Sequence, residues 1–416
     1  MYQKLLLAKI IIFYLYQYNM YDFSALKEAI LFNSAEVIPT NSEQLDIEVQ
    51  KLCDLANATG EKLRHYIGFE ISGQIHIGTG IACALKIKKL QDAGVHCSIY
   101  LANYHAWLNN KLDGTFETIE KVAREYFAPL MSVCLESVGC DVSKVDFVFA
   151  HDLYQTKPRG LGFFDWDIRV CKELTLARVL KSISVMGKKD GEAVEFATLR
   201  YPAMQVTDAF FMQTHLVHAG MDQRKCHVLM REIAGKVPDE IALKIGDVRV
   251  KPIAVHHALL LGMSAPKNIG EGAKMDALTS EDHKMSKSKP DSAIWVTDSR
   301  EEIIRKLQKA YCPMPDATKK DEENRELQQW NPMLDWCKKM VFPAGKALHI
   351  ERPEKWGGNL DFETFEELQT AYLAGNVHPM DLKTAIATTL SDWFAPMQQW
   401  AQKHQDAIEL ITGARK

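Results

Sequence analysis

Leu63-Arg64-His65-Tyr66-Ile67-Gly68-Phe69-Glu70 runs on into Gly73-Gln74-Ile75-His76-Ile77-Gly78-Thr79-Gly80, and this junction decides how the rest of the chain is read. The first stretch has the apolar and aromatic content of a buried strand, and the apolar spacing over residues 78–92 is that of a helix. Between them, the glycines let backbone approach a ligand closely. The helix start offers free N–H groups and the positive end of its dipole, so the corner is shaped for phosphate. On its own, such a turn is equally read as a plain strand-to-helix connection.

Working outward, strand patterns recur at 95–102, 145–150, 216–219 and 248–255. Helical periodicity fills 116–138 (ended near Gly139), 167–186, 200–213 and 223–233. The alternation predicts an α/β fold with a parallel, doubly wound sheet. Beyond a Gly- and Ser-rich loop at 270–290 the strand signal fades, and helical periodicity dominates from 298 onward. The expected division is therefore an extension and helical lead-in at 1–60, a sheet domain carrying the loop at 61–292, and an α-helical domain at 293–416. No internal repeat or low-complexity tract interrupts this order.

At 416 residues the chain is long enough for two or three cores. Its 47% hydrophobic and 25% charged content excludes a disordered, collagenous or disulfide-framework protein. A net charge of -4 gives no field drawing in a polyanion, so a nucleic-acid partner must be held by a local patch. The nine cysteines are scattered and never spaced Cys-x-x-Cys, which points to reduced thiols in a cytoplasmic setting, with no disulfides and no metal site. His96-Cys97 and Cys226-His227 lack the spaced partners that a metal needs. The apolar run at 5–16, LLLAKIIIFYLY, is too short to span a bilayer and fits no secretory or mitochondrial leader, so no membrane association is expected. Residues 1–20 read as an atypical extension, with Met20 an alternative start.

Far downstream stands a second loop, His283-Lys284-Met285-Ser286-Lys287-Ser288-Lys289-Pro290, whose lysines and hydroxyls suit a mobile clamp on a polyphosphate. Alone it would be a solvated basic loop. Together the two loops resemble the paired HIGH and KMSKS motifs of class I aminoacyl-tRNA synthetases, the second matched completely and the first in three of four places. Tyr66-Ile67-Gly68-Phe69-Glu70, Tyr201-Pro202-Ala203-Met204-Gln205-Val206-Thr207-Asp208 and Gly220-Met221-Asp222-Gln223-Arg224-Lys225 narrow the resemblance to tyrosyl-tRNA synthetases of the archaeal and eukaryotic type. Lys309-Ala310-Tyr311-Cys312-Pro313, Arg352-Pro353-Glu354-Lys355-Trp356-Gly357-Gly358 and His378-Pro379-Met380-Asp381-Leu382-Lys383 continue it, so that it covers about residues 60–400.

The amino-acid pocket can be argued from spacing. Tyr201, Gln205 and Asp208 are four and three positions apart and share one helical face, crowded by Met204, Val206, Phe210 and Phe211. Polar groups on a buried face call for a ligand, whereas on an exposed one they would only meet water. The resemblance implies that Asp208 and Tyr66 grip a substrate phenol while Tyr201, Gln205 and Gln223 hold the α-amino group of L-tyrosine. A substrate lacking the hydroxyl would leave Asp208 and Tyr66 unsatisfied.

The resemblance further implies a Rossmann-like catalytic domain with an inserted connective segment, and attack of the tyrosine carboxylate on the α-phosphate of ATP. Tyrosyl transfer to the terminal ribose of tRNA(Tyr) follows. Because the carboxylate is already ionised, catalysis comes from positioning and from cations on the phosphates. His76, Thr79, Lys284 and Lys287 take the catalytic roles. Gly73, His76, Gly78, Lys284, Met285, Ser286, Lys287 and Ser288 hold ATP, with backbone N–H groups near Gly78 on the phosphates and Mg²⁺ on the pyrophosphate. For the tRNA, Trp356, His378 and Asp381 match residues that grip the first anticodon base, and Arg224 and Lys225 match those on the acceptor stem. Without the resemblance, Trp356 reads as a core tryptophan, Asp381 as a helix N-cap, and Arg224 and Lys225 as a surface pair.

A homodimer through the segment between the half-sheets is also implied. Two positions depart from the family pattern. Thr79 stands where the first motif usually ends in His, and Asn103 where an Asp is usual, removing a negative charge near the substrate amine. Two other readings therefore stand beside the synthetase: an RNA-binding paralogue that no longer activates amino acids, and a tryptophan enzyme. The complete second loop opposes the former, and Asp208 with Tyr66 the latter.

Overall fold

The computed structural model describes residues 20–186, 195–266, 283, 285, 292–316 and 321–414. In chain order its strands are β1 (Ser34–Ile38), β2 (Arg64–Phe69), β3 (His96–Leu101), β4 (Val145–Phe149) and β5 (Leu216–Gly220). The two-residue partners β6 (Lys244–Ile245) and β7 (Val248–Arg249) follow, then β8 (Ile253–His257). Six of them form one sheet in the order β1-β8-β5-β2-β3-β4. β2 and β5 run parallel, with Tyr66 opposite Val217 and Ile67 opposite His218. From β2 the chain winds outward to β3 and β4 on one side, while β5 and β8 fill the other. The winding therefore reverses between β2 and β5, where ligands of open α/β sheets bind beyond the carboxyl ends of the strands.

The strands are apolar because helices cover them. All five residues of β5 are buried, as are Ile253, Ala254 and Val255 of β8. The helix Ser42–Thr59 starts at an Asn41 cap and stops where Gly60 turns left-handed. It is tied to the helix Arg224–Ile233 by a two-pronged ion pair between Arg231 and Glu48, at 2.9 and 3.0 Å.

The chain divides into two compact units. One comprises the described residues up to Gly68 with Lys89–Tyr100 and Lys144–His256, and holds the sheet. The other comprises Phe69–Lys88, Leu101–Ser143 and the chain from His257 onward. In the second unit the helix Arg300–Lys309 packs along Pro379–Trp393, beside an antiparallel ribbon of β9 (Leu348–Ile350) and β10 (Leu360–Phe362).

Three expectations need correction. The lead-in to residue 60 is not only helical, since Ser34–Ile38 adds the edge strand of the main sheet. The stretch 167–186 is two helices, Phe163–Glu173 and Leu176–Ser182, because Leu174 is extended and Thr175 caps the second helix. The stretch 248–255 is two strands, parted by Pro252, which has no N–H to donate to a ladder.

Gly80 lies where the chain enters the helix Cys83–Asp92. A Cβ there would meet Val296 at 2.9 Å, Ile75 at 3.0 Å and the Cys134 sulfur at 3.1 Å. Gly80→Ala is expected to destabilise the protein by about 1–3 kcal/mol, the usual cost of overpacking, read as a lowered urea midpoint.

Candidate active site

Two neighbourhoods carry the chemistry. The first, in the sheet unit, is built on the helix Arg200–Phe211. Its inner face is buried, with Asp208 1% exposed and Tyr201 6%. Asp208 Oδ1 accepts a hydrogen bond of 2.7 Å from the Tyr154 hydroxyl, and the Tyr154 and Tyr100 hydroxyls are 3.0 Å apart. Burial pushes the Asp208 carboxyl up to about 8, against which the hydrogen bonds from Tyr154 and Tyr100 pull downward. Burial also raises the Tyr66, Tyr100 and Tyr154 hydroxyls, so all three remain protonated donors at neutral pH. The Tyr66 ring meets the Tyr100 ring edge-on at 6.2 Å.

The neighbouring acid is treated differently. Asp167, fully buried, is ion-paired with Arg200 and accepts from the Thr207 hydroxyl at 3.3 Å. Further along the same helix face the Gln205 Oε1 atom is buried and meets no hydrogen-bond partner among the described residues. Tyr201 packs against Met186 and Cys226, and Gln223 stands directly ahead of the helix Arg224–Ile233.

The second neighbourhood, in the other unit, is built around the first motif. Ile77 N–H donates to Ile294 O at 3.0 Å and Val296 N–H to Ile75 O at 3.0 Å, so the first motif is laced to the segment just beyond the second. Gly73 takes a φ of 148°, a conformation that side-chain residues rarely adopt. His76 Nδ1 accepts from the N–H groups of Gly78 (3.1 Å) and Thr79 (3.3 Å), and the ring's Nε2 lies 3.2 Å from Thr79 Oγ1. The backbone N–H groups expected to meet phosphate at Gly78 are thus engaged by the imidazole, which fills the helix start.

Of the second loop, Lys284, Ser286, Lys287 and Ser288 lie outside the described residues. Met285 is buried, its N–H directed to Leu260 O at 3.4 Å, and the His283 carbonyl accepts from Gly262 at 2.8 Å. The segment leading toward the loop is pinned in turn: the Trp336 indole donates to Leu261 O at 2.8 Å and Asp335 accepts from the Leu261 N–H at 2.9 Å. Asn103 is buried, and its amide donates to Glu120, whose carboxylate also pairs with Arg124. A carboxylate therefore stands beside the position where the family's Asp is missing.

Trp356 is not a core residue, since it is 67% exposed with the Lys355 ammonium 5.8 Å from its ring centre. Asp381 is not the N-cap of its helix, because His378 caps the helix Pro379–Trp393 by accepting from Met380 N–H at 3.2 Å. Lys225 is exposed, whereas the Arg224 guanidinium is held at 2.7 Å by Glu36 of β1. Tyr154, Tyr100 and Glu36 were not anticipated from the sequence. Their partners lie 54 positions or more away along the chain, so no local spacing could have found them.

A family model described as tRNA synthetases class I (W and Y) matches residues 58–395. The tyrosine–tRNA ligase of Thermococcus sibiricus is 41% identical over 380 residues, covering 90% of this chain and 96% of the relative. That of Pyrococcus furiosus is 43% identical over 357 residues, covering 85% and 90%. The crystal structure of tyrosyl-tRNA synthetase from Pyrococcus horikoshii with L-tyrosine superposes with a TM-score of 0.83 at 37% identity, covering 94% of this chain and all of that one. The chain belongs to the class I tRNA synthetases of the tryptophan and tyrosine type, within the tyrosyl-tRNA synthetases of archaeal kind.

The raised Asp208 carboxyl makes stability pH-dependent. Because the folded form keeps its proton up to about 8 while an unfolded aspartate releases it near its ordinary value of 3.8, the fold loses stability as pH rises between those values. Asp208→Asn removes the titration and is expected to shrink the drop in melting temperature between pH 6 and pH 8.5, read by calorimetry.

Proposed function

We propose that the protein is a working tyrosine–tRNA ligase, which joins L-tyrosine to ATP as tyrosyl-adenylate, releases pyrophosphate, and passes the tyrosyl group to the 3′-terminal ribose of tRNA(Tyr). The observation that carries this reading is the buried face of the helix Arg200–Phe211. An acceptor for a phenol O–H, Asp208, and an unfilled acceptor for an ammonium, Gln205 Oε1, stand there on one line. Tyr66 donates to the phenol oxygen, and Tyr201 and Gln223 complete the amine site.

No protein nucleophile takes part. The substrate carboxylate attacks the α-phosphorus in line, and His76, Thr79, Lys284 and Lys287 stabilise charge on the phosphates. With its Nδ1 accepting two backbone N–H groups, a neutral His76 carries its proton on Nε2 and donates it to Thr79 Oγ1. The Thr79 hydroxyl proton is then directed at a phosphate oxygen. This supports activity despite the threonine in place of the family's second histidine. Gly73, Gly78, Met285, Ser286 and Ser288 complete the ATP site. Among the described residues no three His, Cys, Asp or Glu side chains converge to hold a metal. A Mg²⁺ ion brought in with the nucleotide would neutralise charge on the pyrophosphate.

Residues 61–292 form the catalytic domain and 293–416 the anticodon-binding domain. Exposed Trp356 beside Lys355 suits stacking on an unpaired base, with Asp381 and His378 reading its edge and Arg224 and Lys225 meeting the acceptor stem. A second copy of the chain covers the connective segment, where Phe164, Ile168, Leu176, Leu180 and Phe196 are 70%, 42%, 64%, 42% and 81% exposed. The first four are spaced i, i+4 on two helices, and such a stripe is costly to leave in water. The nine cysteines are all free, and no described helix is long and apolar enough to cross a membrane, which agrees with a cytoplasmic enzyme.

Tyrosine-dependent ATP–pyrophosphate exchange tests the whole reading. Exchange with tyrosine supports it, no exchange with any amino acid supports the paralogue, and exchange with tryptophan alone supports the tryptophan enzyme. Trp356→Ala is expected to raise the KM for tRNA about tenfold or more, since one stacked base is worth ~1–3 kcal/mol, with the KM for tyrosine unmoved. Phe164→Glu with Leu176→Glu is expected to halve the mass seen by light scattering.

A further inference from the structure

Asp208 is a buried carboxyl, 1% exposed. Among the described residues, the titratable groups that face it are Tyr66 from β2, Tyr100 from β3, Tyr154 from the turn of helix after β4, and Asp167 from the helix Phe163–Glu173. Arg200 is paired with Asp167, and Asp167 pushes Asp208 further toward its neutral form. Burial and a neighbouring acid favour protonation, and the tyrosine hydroxyls favour the ion.

The direction of these bonds follows from the inventory of donors. The Tyr154 hydroxyl donates to Oδ1 at 2.7 Å. The Tyr100 hydroxyl lies 3.0 Å from that of Tyr154 and is itself hydrogen-bonded to the Asp208 side chain. Two hydroxyls thus converge on one carboxyl, each polarising the other. The Tyr154 ring is not free to leave, because it stacks on Phe163 at 3.5 Å between centres and 20° between planes, and Phe163 in turn abuts Phe211 edge-on.

We propose that Tyr154, backed by Tyr100, is a positioning residue for substrate selection that orients the Asp208 carboxyl and makes it easier to ionise, so that the site demands a phenol hydroxyl. The effect is selective for a chemical reason. An ionised acceptor left without a donor is a heavy penalty against phenylalanine, whereas a neutral carboxyl satisfies itself more cheaply and tolerates the missing hydroxyl. The inference rests on the tyrosine-activating reading and deepens it, since neither tyrosine is among the residues that the resemblance assigns.

The test uses the full chain and Tyr154→Phe, which keeps the stacked ring and removes only the hydroxyl, with Tyr100→Phe as a second, more distant variant. The titration of Asp208 is followed by carbon NMR of labelled aspartate, its signal assigned by loss in Asp208→Asn, in protein without substrate. The midpoint is expected to rise by about one pH unit in Tyr154→Phe and by less in Tyr100→Phe. Exchange kinetics should show the KM for tyrosine raised about tenfold at pH 7 with kcat little changed, and the preference for tyrosine over phenylalanine reduced by a similar factor. An unmoved Asp208 midpoint in Tyr154→Phe overturns the proposal whether or not the protein is active. A shifted midpoint with no exchange in the unmodified protein supports the relay and overturns the synthetase reading alone.

Discussion

Burial makes a carboxyl costly to ionise, and Asp208, 1% exposed, is such a group. Much of the first unit can be understood as what makes it tolerable. The helix Arg200–Phe211 places it, and the aromatic stack of Tyr154 on Phe163, with Phe211 at its edge, fixes the donor that reaches it. Asp167, on the next helix, is neutralised by Arg200, so the site is not left with two bare acids. The residual polarity is directional, with acceptors facing one way along the helix. A ligand that brings donors at both ends relieves it. An amino acid with a phenol at one end and an ammonium at the other has that arrangement.

The second unit answers a different demand, that of fixing the first loop against a segment far along the chain. Ile75 and Ile77 bond through their backbones to Val296 and Ile294. The Tyr126 hydroxyl accepts from the Ile75 N–H at 3.1 Å, and Trp336, Asp335 and Lys339 hold the carbonyls and N–H groups of residues 259–261. The N–H groups of Gly78 and Thr79 are taken by His76, so that, on the proposed reading, phosphate meets a fixed imidazole and a hydroxyl in place of backbone donors.

What could be read from the chain beforehand follows from what periodicity sees. β2 to β5 and the helices between them stood out because each is buried on a regular face, and the site face of 201, 205 and 208 is a local spacing on one helix. β1 was missed because it is an edge strand, with four of its five residues at least partly exposed and a glutamate in the middle. The break at Leu174 and the ribbon β9–β10 are too short to disturb a helical pattern. The Tyr100–Tyr154–Asp208 chain was illegible for a plainer reason: each link spans 54 positions, and only the folded sheet brings them together. Likewise the engagement of Gly78 and Thr79 by His76 is a matter of ring orientation, which residue types do not encode.

The edge strand missed in the sequence bears on the acceptor-stem contact proposed for Arg224. Glu36 accepts from the Arg224 guanidinium at 2.7 Å and lies 3.1 Å from an imidazole N of buried His256, which is bonded on to His227. On the proposed reading, an acceptor stem that takes hold of Arg224 displaces a carboxylate that stays behind. Such a contact exchanges one anion for another, and contributes less to the salt dependence of association than an arginine without a carboxylate beside it would.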